Sequence, residues 1–194
     1  DSYDIKQTPK YSMKTLTYHE ATPGHHHQIA HSLENDDLTI YRRFGYGTSA
    51  FSEGWALYAE RLSLEAGLAP DLYDELGILQ SEIFRSVRLV VDTGMHYKKW
   101  TREEAIDYMK GMTGMSDTEC RVEIERYIVW PGQALSYKVG MIKILELRER
   151  AMEQLGEKFS IKDFHSAVLD NGNPPLFIVE QMVDEMIAKG LRNN

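Results

Sequence analysis

Histidines crowd one short stretch of this chain, where five of the seven fall between His19 and His31 and Glu20 follows the first directly. A neutral imidazole is the commonest protein ligand for a transition metal, and a glutamate beside it is the usual general base of a zinc hydrolase. The nearest pattern with a mechanism is His-Glu-x-x-His on a helix, where two histidines one turn apart bind zinc and the glutamate activates water. The stretch predicts a zinc site, with a histidine-rich surface loop as the alternative.

The spacing departs from that pattern, because the next histidines after His19 are His25 and His26. On an unbroken helix six residues turn through about 600°, which takes His25 off the face of His19. His26 would return to that face but roughly 10 Å further along the axis, too far to share a metal. Pro23-Gly24 supplies a break, since proline disrupts the helix and glycine permits a reversed backbone angle. We expect His25 to be the second ligand, with His26 as the alternative.

A zinc ion with two histidine ligands needs a third protein ligand, and a catalytic zinc keeps its fourth position for water. Glu53 and Glu60 are seven residues apart, so on a helix they share one face two turns from each other. Glu53 stands between Phe51 and Trp55, an unusual place for a solvated charge, and we expect it to bind the metal. Glu60 would then orient a histidine ligand by a hydrogen bond. Two solvated glutamates on an amphipathic helix are the alternative.

Further candidates lie downstream. Tyr137 follows the break at Pro131-Gly132, and its hydroxyl could stabilise the oxyanion formed when water attacks an amide carbonyl. A core tyrosine with a solvated hydroxyl is the alternative. The expected substrate-binding side chains are His96, Arg126, Tyr127 and Gln133. Arg126 could hold a substrate carboxylate in a bidentate grip. The alternative for this arginine is structural ion pairing with acidic neighbours, namely Asp92, Glu123 and Glu125.

The composition is that of an ordinary globular domain, with 42% hydrophobic and 27% charged residues in a chain of 194. The net charge of -8 argues against nucleic acid or an anionic membrane as the main partner. No apolar run approaches the roughly 18 residues of a membrane helix. The single cysteine, Cys120, excludes an internal disulfide and a cysteine-built zinc site. Residues 1–20 lack the apolar centre of a signal peptide, so the compartment stays open between cytoplasm and periplasm.

Hydrophobic spacing and helix-end signals predict an all-α protein. Thr101, Ser116 and Ser160 each stand three residues before an acidic side chain, as in a capping box. One helix is expected from Lys14 to the break at Pro23, and it resumes after the break as far as Asn35. Further helices are expected from Thr48 to Glu65, from Pro70 through Val90, after Pro131-Gly132, and at the end of the chain through Ile187.

Apolar residues repeat at helical spacing in two of these helices. The helix from Pro70 carries Leu76, Leu79, Ile83, Val87 and Val90, and the helix after Pro131-Gly132 carries Leu135, Val139, Ile142 and Leu145.

Five motifs, in order, resemble the bacterial DUF885 family, whose members resemble metallopeptidases. They are His19-Glu-Ala-Thr-Pro-Gly-His-His26, Glu53-Gly-Trp-Ala-Leu-Tyr-Ala-Glu60, Asp92-Thr-Gly-Met-His96, Glu125-Arg-Tyr127 and Pro131-Gly-Gln-Ala-Leu-Ser-Tyr137. The resemblance runs from about residue 8 to residue 190. It implies a single helical catalytic domain over residues 1–194, forming the C-terminal part of a longer protein.

The chain also resembles, more distantly, the helical gluzincin peptidases of the thermostable carboxypeptidase and oligopeptidase groups. In those enzymes the third ligand is a glutamate on a later helix with a second glutamate seven residues on, which corresponds to Glu53 and Glu60. A downstream tyrosine near their zinc corresponds by order to Tyr137. The chain departs from the family by the two-residue insertion Thr22-Pro23 and by its shorter length.

We therefore expect a gluzincin-like peptidase domain that hydrolyses short peptides, with zinc on His19, His25 and Glu53 and with Glu20 as general base. The expected partners are a peptide substrate and either a second copy of the chain, in a homodimer, or a missing amino-terminal half, whose helices would wall the cleft. The alternative from another class is a non-catalytic helical module that carries metal or has a structural role. A di-iron carboxylate bundle is set aside, because no glutamate has a histidine three residues on.

Overall fold

The computed structural model describes residues 9–45 and 47–192, and the described residues form α-helices without a β-strand. The helices are α1 (Ser12–Glu20), α2 (His25–Glu34), α3 (Ile40–Phe44), α4 (Ser49–Glu65), α5 (Leu72–His96), α6 (Arg102–Thr113), α7 (Asp117–Val129), α8 (Gln133–Leu155), α9 (Ile161–Leu169) and α10 (Leu176–Arg192). A short 3₁₀ turn, Gly156–Lys158, follows α8. The all-α class predicted from the sequence is confirmed, and α3 is the helix that the sequence analysis did not anticipate.

Side-chain caps explain where several helices begin. Thr101 and Ser116 form the predicted capping boxes with Glu104 and Glu119, in which side chain and backbone satisfy each other's free groups. Ser160 accepts a hydrogen bond of 3.3 Å from the backbone N–H of Asp163, which is one half of the predicted box. These local signals are strong because each satisfies backbone donors that a helix end leaves free.

Other helix starts differ in detail from the prediction. Pro70 lies before α5 rather than in its first turn, and the carboxylate of Asp71 caps the helix by accepting from two backbone N–H groups at 2.9 Å. Thr48 stands at the predicted N-cap of α4, but its hydroxyl donates to the carbonyl of Pro174 at 3.0 Å. Gly132 before α8 has a φ of 85°, which favours glycine, and its N–H donates to the buried carboxylate of Asp92 at 3.0 Å.

Two groups of buried side chains make the core. The first joins α4, α8, α9 and α10 and includes Phe51, Trp55, Ile144, Phe164 and Val183. The second joins α5, α6 and α7 and includes Val91, Met109, Ile124 and Tyr127. Each large side chain fully removed from water stabilises the fold by roughly 1.5–3 kcal/mol. Helices α1 and α2 lie against α4, and α1 also packs on α5.

The apolar repeats that predicted α5 and α8 identify the helices but not their buried faces. On α5 the repeat is mostly exposed, with Leu76, Leu79 and Ile83 retaining 48%, 47% and 40% of their accessible surface. On α8, Val139 and Ile142 are exposed as well. The buried faces carry glycine and charged side chains among the apolar ones, namely Gly77, Arg88 and Asp92 on α5 and Gly140 on α8, so hydrophobicity alone mislocates them.

Among the described residues, no helix combines the length and apolar character needed to span a bilayer.

Helices α4 and α8 cross with their backbones in contact. A Cβ atom built on Gly54 would lie 2.4 Å from the Cα of Gly140, and one built on Gly140 would lie 1.9 Å from the carbonyl oxygen of Ala50. Neither position accepts a side chain unless the helices move apart. Because Glu53 and Glu60 lie on α4 and Tyr137 on α8, this crossing sets how the candidate functional side chains face each other.

Replacement of Gly140 by alanine tests the crossing. We expect Gly140→Ala to lower the free energy of unfolding by about 1–3 kcal/mol, as overpacking does, when measured by urea denaturation. Gly111→Ala on α6 is the matched control, because a Cβ there would meet nothing within 4 Å. Alanine's better helix propensity should leave that variant unchanged or up to about 1 kcal/mol more stable. Equal stability of the two variants would contradict the close crossing.

Candidate metal centre

The turn between α1 and α2 brings His19 next to His25, with their ring centroids 4.8 Å apart. Helix α1 ends at Glu20 and α2 begins at His25. A Cβ atom on Gly24 would lie 1.9 Å from the carbonyl oxygen of His19, so only glycine allows the two backbones to approach. The φ of Gly24 is -77°, so this close approach, and not the predicted reversed backbone angle, explains the glycine. The indole of Trp55 donates to the carbonyl of Pro23 at 2.9 Å and fastens the turn to α4.

His19, His25 and Glu53 form a compact group of potential metal ligands. One ligand atom from each lies within 4.8 Å of the others. The Nε2 atoms of His25 and His19 are 3.2 Å and 3.7 Å from Oε2 of Glu53. The two imidazole rings meet edge to face, with centroids 4.8 Å apart. These are the three residues for which the sequence predicted metal binding, and within residues 9–45 and 47–192 no other group of three His, Cys, Asp or Glu side chains has such geometry.

The neighbouring histidines lie elsewhere. His26 and His27 are exposed, and the ring of His27 lies 6.2 Å from that of His31. Nε2 of His31 is 2.7 Å from a carboxylate oxygen of Asp170, at the end of α9. Of the two candidates that the sequence left open, His25 is therefore the one beside His19, and His26 is not.

Glu60 contacts the ring nitrogen of His19 that faces away from Glu53. Oε1 of Glu60 lies 2.6 Å from Nδ1 of His19, and both side chains are almost fully buried. With the carboxylate accepting, Nδ1 carries the proton and the lone pair of Nε2 faces Glu53. This is the orienting contact that the sequence predicted for Glu60.

The electrostatics of the group suit a cation. Burial raises the pKa of Glu53, but the nearby His19 and His25 and the hydroxyl of Tyr137 outweigh it and lower that pKa to about 2. Burial lowers the pKa of His19, but the carboxylates of Glu53 and Glu60 outweigh it, so the pKa lies above its ordinary value.

The donor atoms also fit zinc. Oε2 of Glu53 is buried and accepts no hydrogen bond, although Nε2 of His25 lies 3.2 Å away. Buried polar atoms are rarely left in this state. Two imidazole nitrogens and one carboxylate oxygen are a common ligand set for catalytic zinc. The residues present therefore fit a zinc ion that would take Oε2 of Glu53 as one of its ligands.

Tyr137 lies beside the group, on α8. Its ring stacks on that of His19 with centroids 6.1 Å apart and an interplanar angle of 18°. The amide of Gln133 donates to the Tyr137 hydroxyl at 3.3 Å, and the guanidinium carbon of Arg88 lies 4.2 Å from the ring centroid. The hydroxyl is also one of the groups that lower the pKa of Glu53. Contacts on both the ring and the hydroxyl hold this tyrosine in one orientation.

Glu20 is the last residue of α1 and follows His19 directly. Its side chain is exposed, and no hydrogen bond or ion pair with the rest of the described chain engages its carboxylate. The carboxylate is therefore free to accept a proton from water.

The other predicted substrate-binding residues engage one another. Arg126 pairs with Glu123 at 2.7 Å, and the hydroxyl of Tyr127 donates to the same carboxylate at 2.5 Å. Nε2 of His96 lies 3.0 Å from the carbonyl oxygen of Tyr127. The ion pair offered as the alternative for Arg126 is thus present, and the substrate-binding roles of His96, Arg126 and Tyr127 stay predictions. Gln133 is the member of this set that contacts Tyr137.

Two arginines on α5 that sequence reasoning missed contact Tyr137. The guanidinium carbons of Arg85 and Arg88 lie 5.5 Å and 4.2 Å from its ring centroid. Arg88 is 3% exposed although it is charged. Its signal in the sequence is its position four residues after Phe84 and three before Val91, which puts a charge on a buried helix face.

The chain thus has an all-α fold in which His19, His25 and Glu53 form a group that could hold a metal ion. The chain belongs to the family described as "Bacterial protein of unknown function (DUF885)", whose model matches residues 1–183. Over 97% of its length it is similar to a protein from Colwellia psychrerythraea, provisionally described as a lipoprotein, with 50% identity and a TM-score of 0.92. A protein from Shewanella oneidensis, provisionally described as a lipoprotein of unknown function, matches 94% of the chain with 26% identity and a TM-score of 0.84.

The chain covers 32% and 34% of these two solved proteins and so spans about a third of their length. No protein with a curated function matches the chain.

Proposed function

We propose that this chain is the zinc-binding catalytic part of a hydrolase that cleaves peptide bonds in short peptides, in the manner of gluzincin peptidases. The proposal is carried by the compact group of His19, His25 and Glu53, with Glu60 hydrogen-bonded behind His19 and Tyr137 stacked beside it. Three protein ligands leave a fourth position open, which is the arrangement of catalytic rather than structural zinc.

The chemistry divides between the metal and the chain. His19, His25 and Glu53 would hold a zinc ion that, when bound, would supply Lewis-acid polarisation of the scissile carbonyl and promote the ionisation of water. Glu20, exposed at the end of α1, accepts a proton as the water oxygen bonds to the carbonyl carbon. When the C–N bond breaks, Glu20 returns that proton to the leaving amine nitrogen. One carboxylate thus serves first as base and then as acid.

Tyr137 donates its hydroxyl to the oxyanion that develops on the carbonyl oxygen. Such a bond strengthens as charge develops, so it lowers the barrier more than it tightens binding of the substrate. Arg88 against the ring and Gln133 on the hydroxyl hold Tyr137 in place, which reduces the reorganisation needed during the reaction.

Zinc content tests the ligand assignment. The wild-type chain should bind one zinc ion, measured by competition with a chelating dye after removal of adventitious metal. Glu60→Gln should weaken affinity by roughly 10–100-fold, as loss of a partner that orients a histidine ligand does, and Glu53→Ala should weaken it further. His26→Asn, which alters the exposed neighbour of His25, should leave affinity unchanged. Loss of zinc from His26→Asn, or an affinity of Glu53→Ala equal to wild type, would refute the assignment.

Substitution of Glu20 tests the general base. Glu20→Gln keeps the shape of the side chain but cannot accept the proton, so kcat on a fluorogenic short-peptide library should fall by about 10²–10⁴ while zinc affinity persists. Glu34→Gln, an exposed glutamate at the end of α2, is the matched control. Full turnover by Glu20→Gln would exclude the mechanism. Zinc binding by the wild-type chain without hydrolysis of any peptide would favour the metal-carrying alternative.

Substitution of Tyr137 separates a catalytic hydroxyl from a structural one. Tyr137→Phe should lower kcat by roughly 10²–10³ with little change in KM, because the lost bond forms as charge develops. Its stability should fall by only about 1 kcal/mol, the usual value of one hydrogen bond. Tyr73→Phe on the exposed surface of α5 should change neither quantity. A loss of stability with unchanged kcat would make Tyr137 a packing residue.

A further inference from the structure

Three rings that the proposed mechanism does not use lie between α4 and α9. Trp55 and Tyr58 on α4 are almost fully removed from water, and His165 on α9 is half-buried beside them. The imidazole of His165 meets the Trp55 indole edge to face, with centroids 5.5 Å apart and an interplanar angle of 90°. It lies 5.7 Å from the Tyr58 ring, and the rings of Trp55 and Tyr58 are 5.5 Å apart. Each ring therefore packs against the other two.

Hydrogen bonds fix which nitrogen of His165 carries the proton. Its Nε2 lies 2.8 Å from the hydroxyl oxygen of Tyr58, and a guanidinium nitrogen of Arg148 donates to the same oxygen at 3.4 Å. Because a guanidinium cannot accept a hydrogen bond, the phenol proton goes to His165. Burial, with the charges of Arg148 and His27, lowers the pKa of His165 to about 4, and burial raises the pKa of Tyr58 to about 12. Both rings are thus neutral at pH 7, and Nδ1 of His165 carries the imidazole proton.

This arrangement directs the indole N–H of Trp55. A neutral imidazole has one acceptor nitrogen, and the hydroxyl of Tyr58 occupies the one in His165. His165 therefore packs against Trp55 without accepting its N–H. A buried indole N–H needs an acceptor, and it finds one in the carbonyl oxygen of Pro23 at 2.9 Å.

Pro23 connects this group of rings to the candidate metal centre. Its carbonyl lies in the turn between α1 and α2, two residues before His25. The backbone hydrogen bonds of the described turn stay within α1, α2 and the turn itself. The indole of Trp55 adds an anchor on α4, the helix that carries Glu53. The hydrogen bond to Pro23 therefore restricts where the turn lies relative to Glu53.

We propose that His165 is a positioning residue for the metal centre, which acts through Trp55 to hold the turn that carries His25. This inference rests on the proposed function, because it concerns the metal site of that function. His165 packs on Trp55, and the indole of Trp55 binds the carbonyl of Pro23. The turn then sets the distance between Nε2 of His25 and Oε2 of Glu53, which is 3.2 Å.

Loss of the imidazole ring would act on metal affinity as well as on stability. Without His165 the indole of Trp55 has space to turn, and its N–H is no longer held on Pro23. The turn would then be less restricted before the metal binds, and ordering it on binding would weaken the affinity. Because the hydrogen bond to Pro23 carries the effect, a change at Trp55 should have the same consequence as a change at His165.

Zinc affinity of paired variants, measured by competition with a chelating dye, tests this inference. His165→Ala and Trp55→Phe should each weaken the affinity by about 10-fold, the lower end for groups that orient metal ligands. Because both act through one hydrogen bond, the double variant should bind zinc no more weakly than Trp55→Phe alone. Val183→Ala is the matched control, since it removes buried atoms from the same core cluster and should lower stability without changing zinc affinity.

The indole N–H gives a second readout that does not need metal. Its hydrogen exchange can be followed by proton–nitrogen NMR, with the signal assigned by its absence in Trp55→Phe. Exchange should be slow in the wild-type chain and about 10-fold faster in His165→Ala, because the N–H loses its acceptor. It should change much less in Val183→Ala, which leaves the contact between His165 and Trp55 in place.

The outcomes separate this inference from the proposed function. Unchanged zinc affinity in His165→Ala, an additive loss in the double variant, or unchanged indole exchange would overturn the role of His165 and leave the proposed function intact. If His165→Ala does not fold, His165→Gln tests the same contact, because it keeps an acceptor for Tyr58 but removes the ring from Trp55. Unchanged affinity in that variant would also overturn the inference. Zinc binding without peptide hydrolysis by the wild-type chain would instead count against the proposed function and leave the role of His165 standing.

Discussion

The contact between Gly54 and Gly140 is the constraint on which the candidate site depends. Helix axes in proteins usually lie about 8–10 Å apart because side chains separate them. Here two glycines let α4 and α8 touch through their backbones. The helices that meet in this way carry Glu53 and Tyr137, and the ring of Tyr137 stacks on that of His19, beside Glu53. A larger residue at the crossing would push α4 and α8 apart and so change the distance between Glu53 and Tyr137 without contacting either side chain.

Carboxylates and imidazoles alternate in the candidate site, and two of the carboxylate oxygens have no hydrogen-bond partner. Glu60, His19, Glu53 and His25 follow one another, so each carboxylate lies beside an imidazole. Buried polar networks stabilise a protein when every member has a partner and destabilise it when one does not. The exceptions here are Oε2 of Glu60 and Oε2 of Glu53, although the latter lies 3.2 Å from Nε2 of His25. A divalent cation bound by His19, His25 and Glu53 would give Oε2 of Glu53 a partner, which is a physical reason for expecting a metal there.

Much of the structure follows from short-range signals in the sequence. The capping boxes at Thr101 and Ser116 need only three residues each, and the seven-residue spacing of Glu53 and Glu60 puts both on one helix face whatever else the chain does. The buried faces of α5 and α8 could not be predicted from hydrophobicity, because long-range packing buries Arg88 and Gly140 and leaves Leu76 and Val139 exposed. The choice of His25 over His26 likewise depends on a turn held by Trp55, far along the chain.

The location of the candidate ligands has a consequence for how the chain is tied together. His19, His25 and Glu53 belong to α1, α2 and α4, whereas the largest apolar cluster joins α4 to α8, α9 and α10. An ion shared by the three would act as a cross-link between the first two helices and a body that packs without them. An ion that binds the folded chain and not the unfolded one would stabilise the folded state by its binding free energy. A bound metal would thus stabilise the packing of α1 and α2 on α4 in addition to any catalytic role.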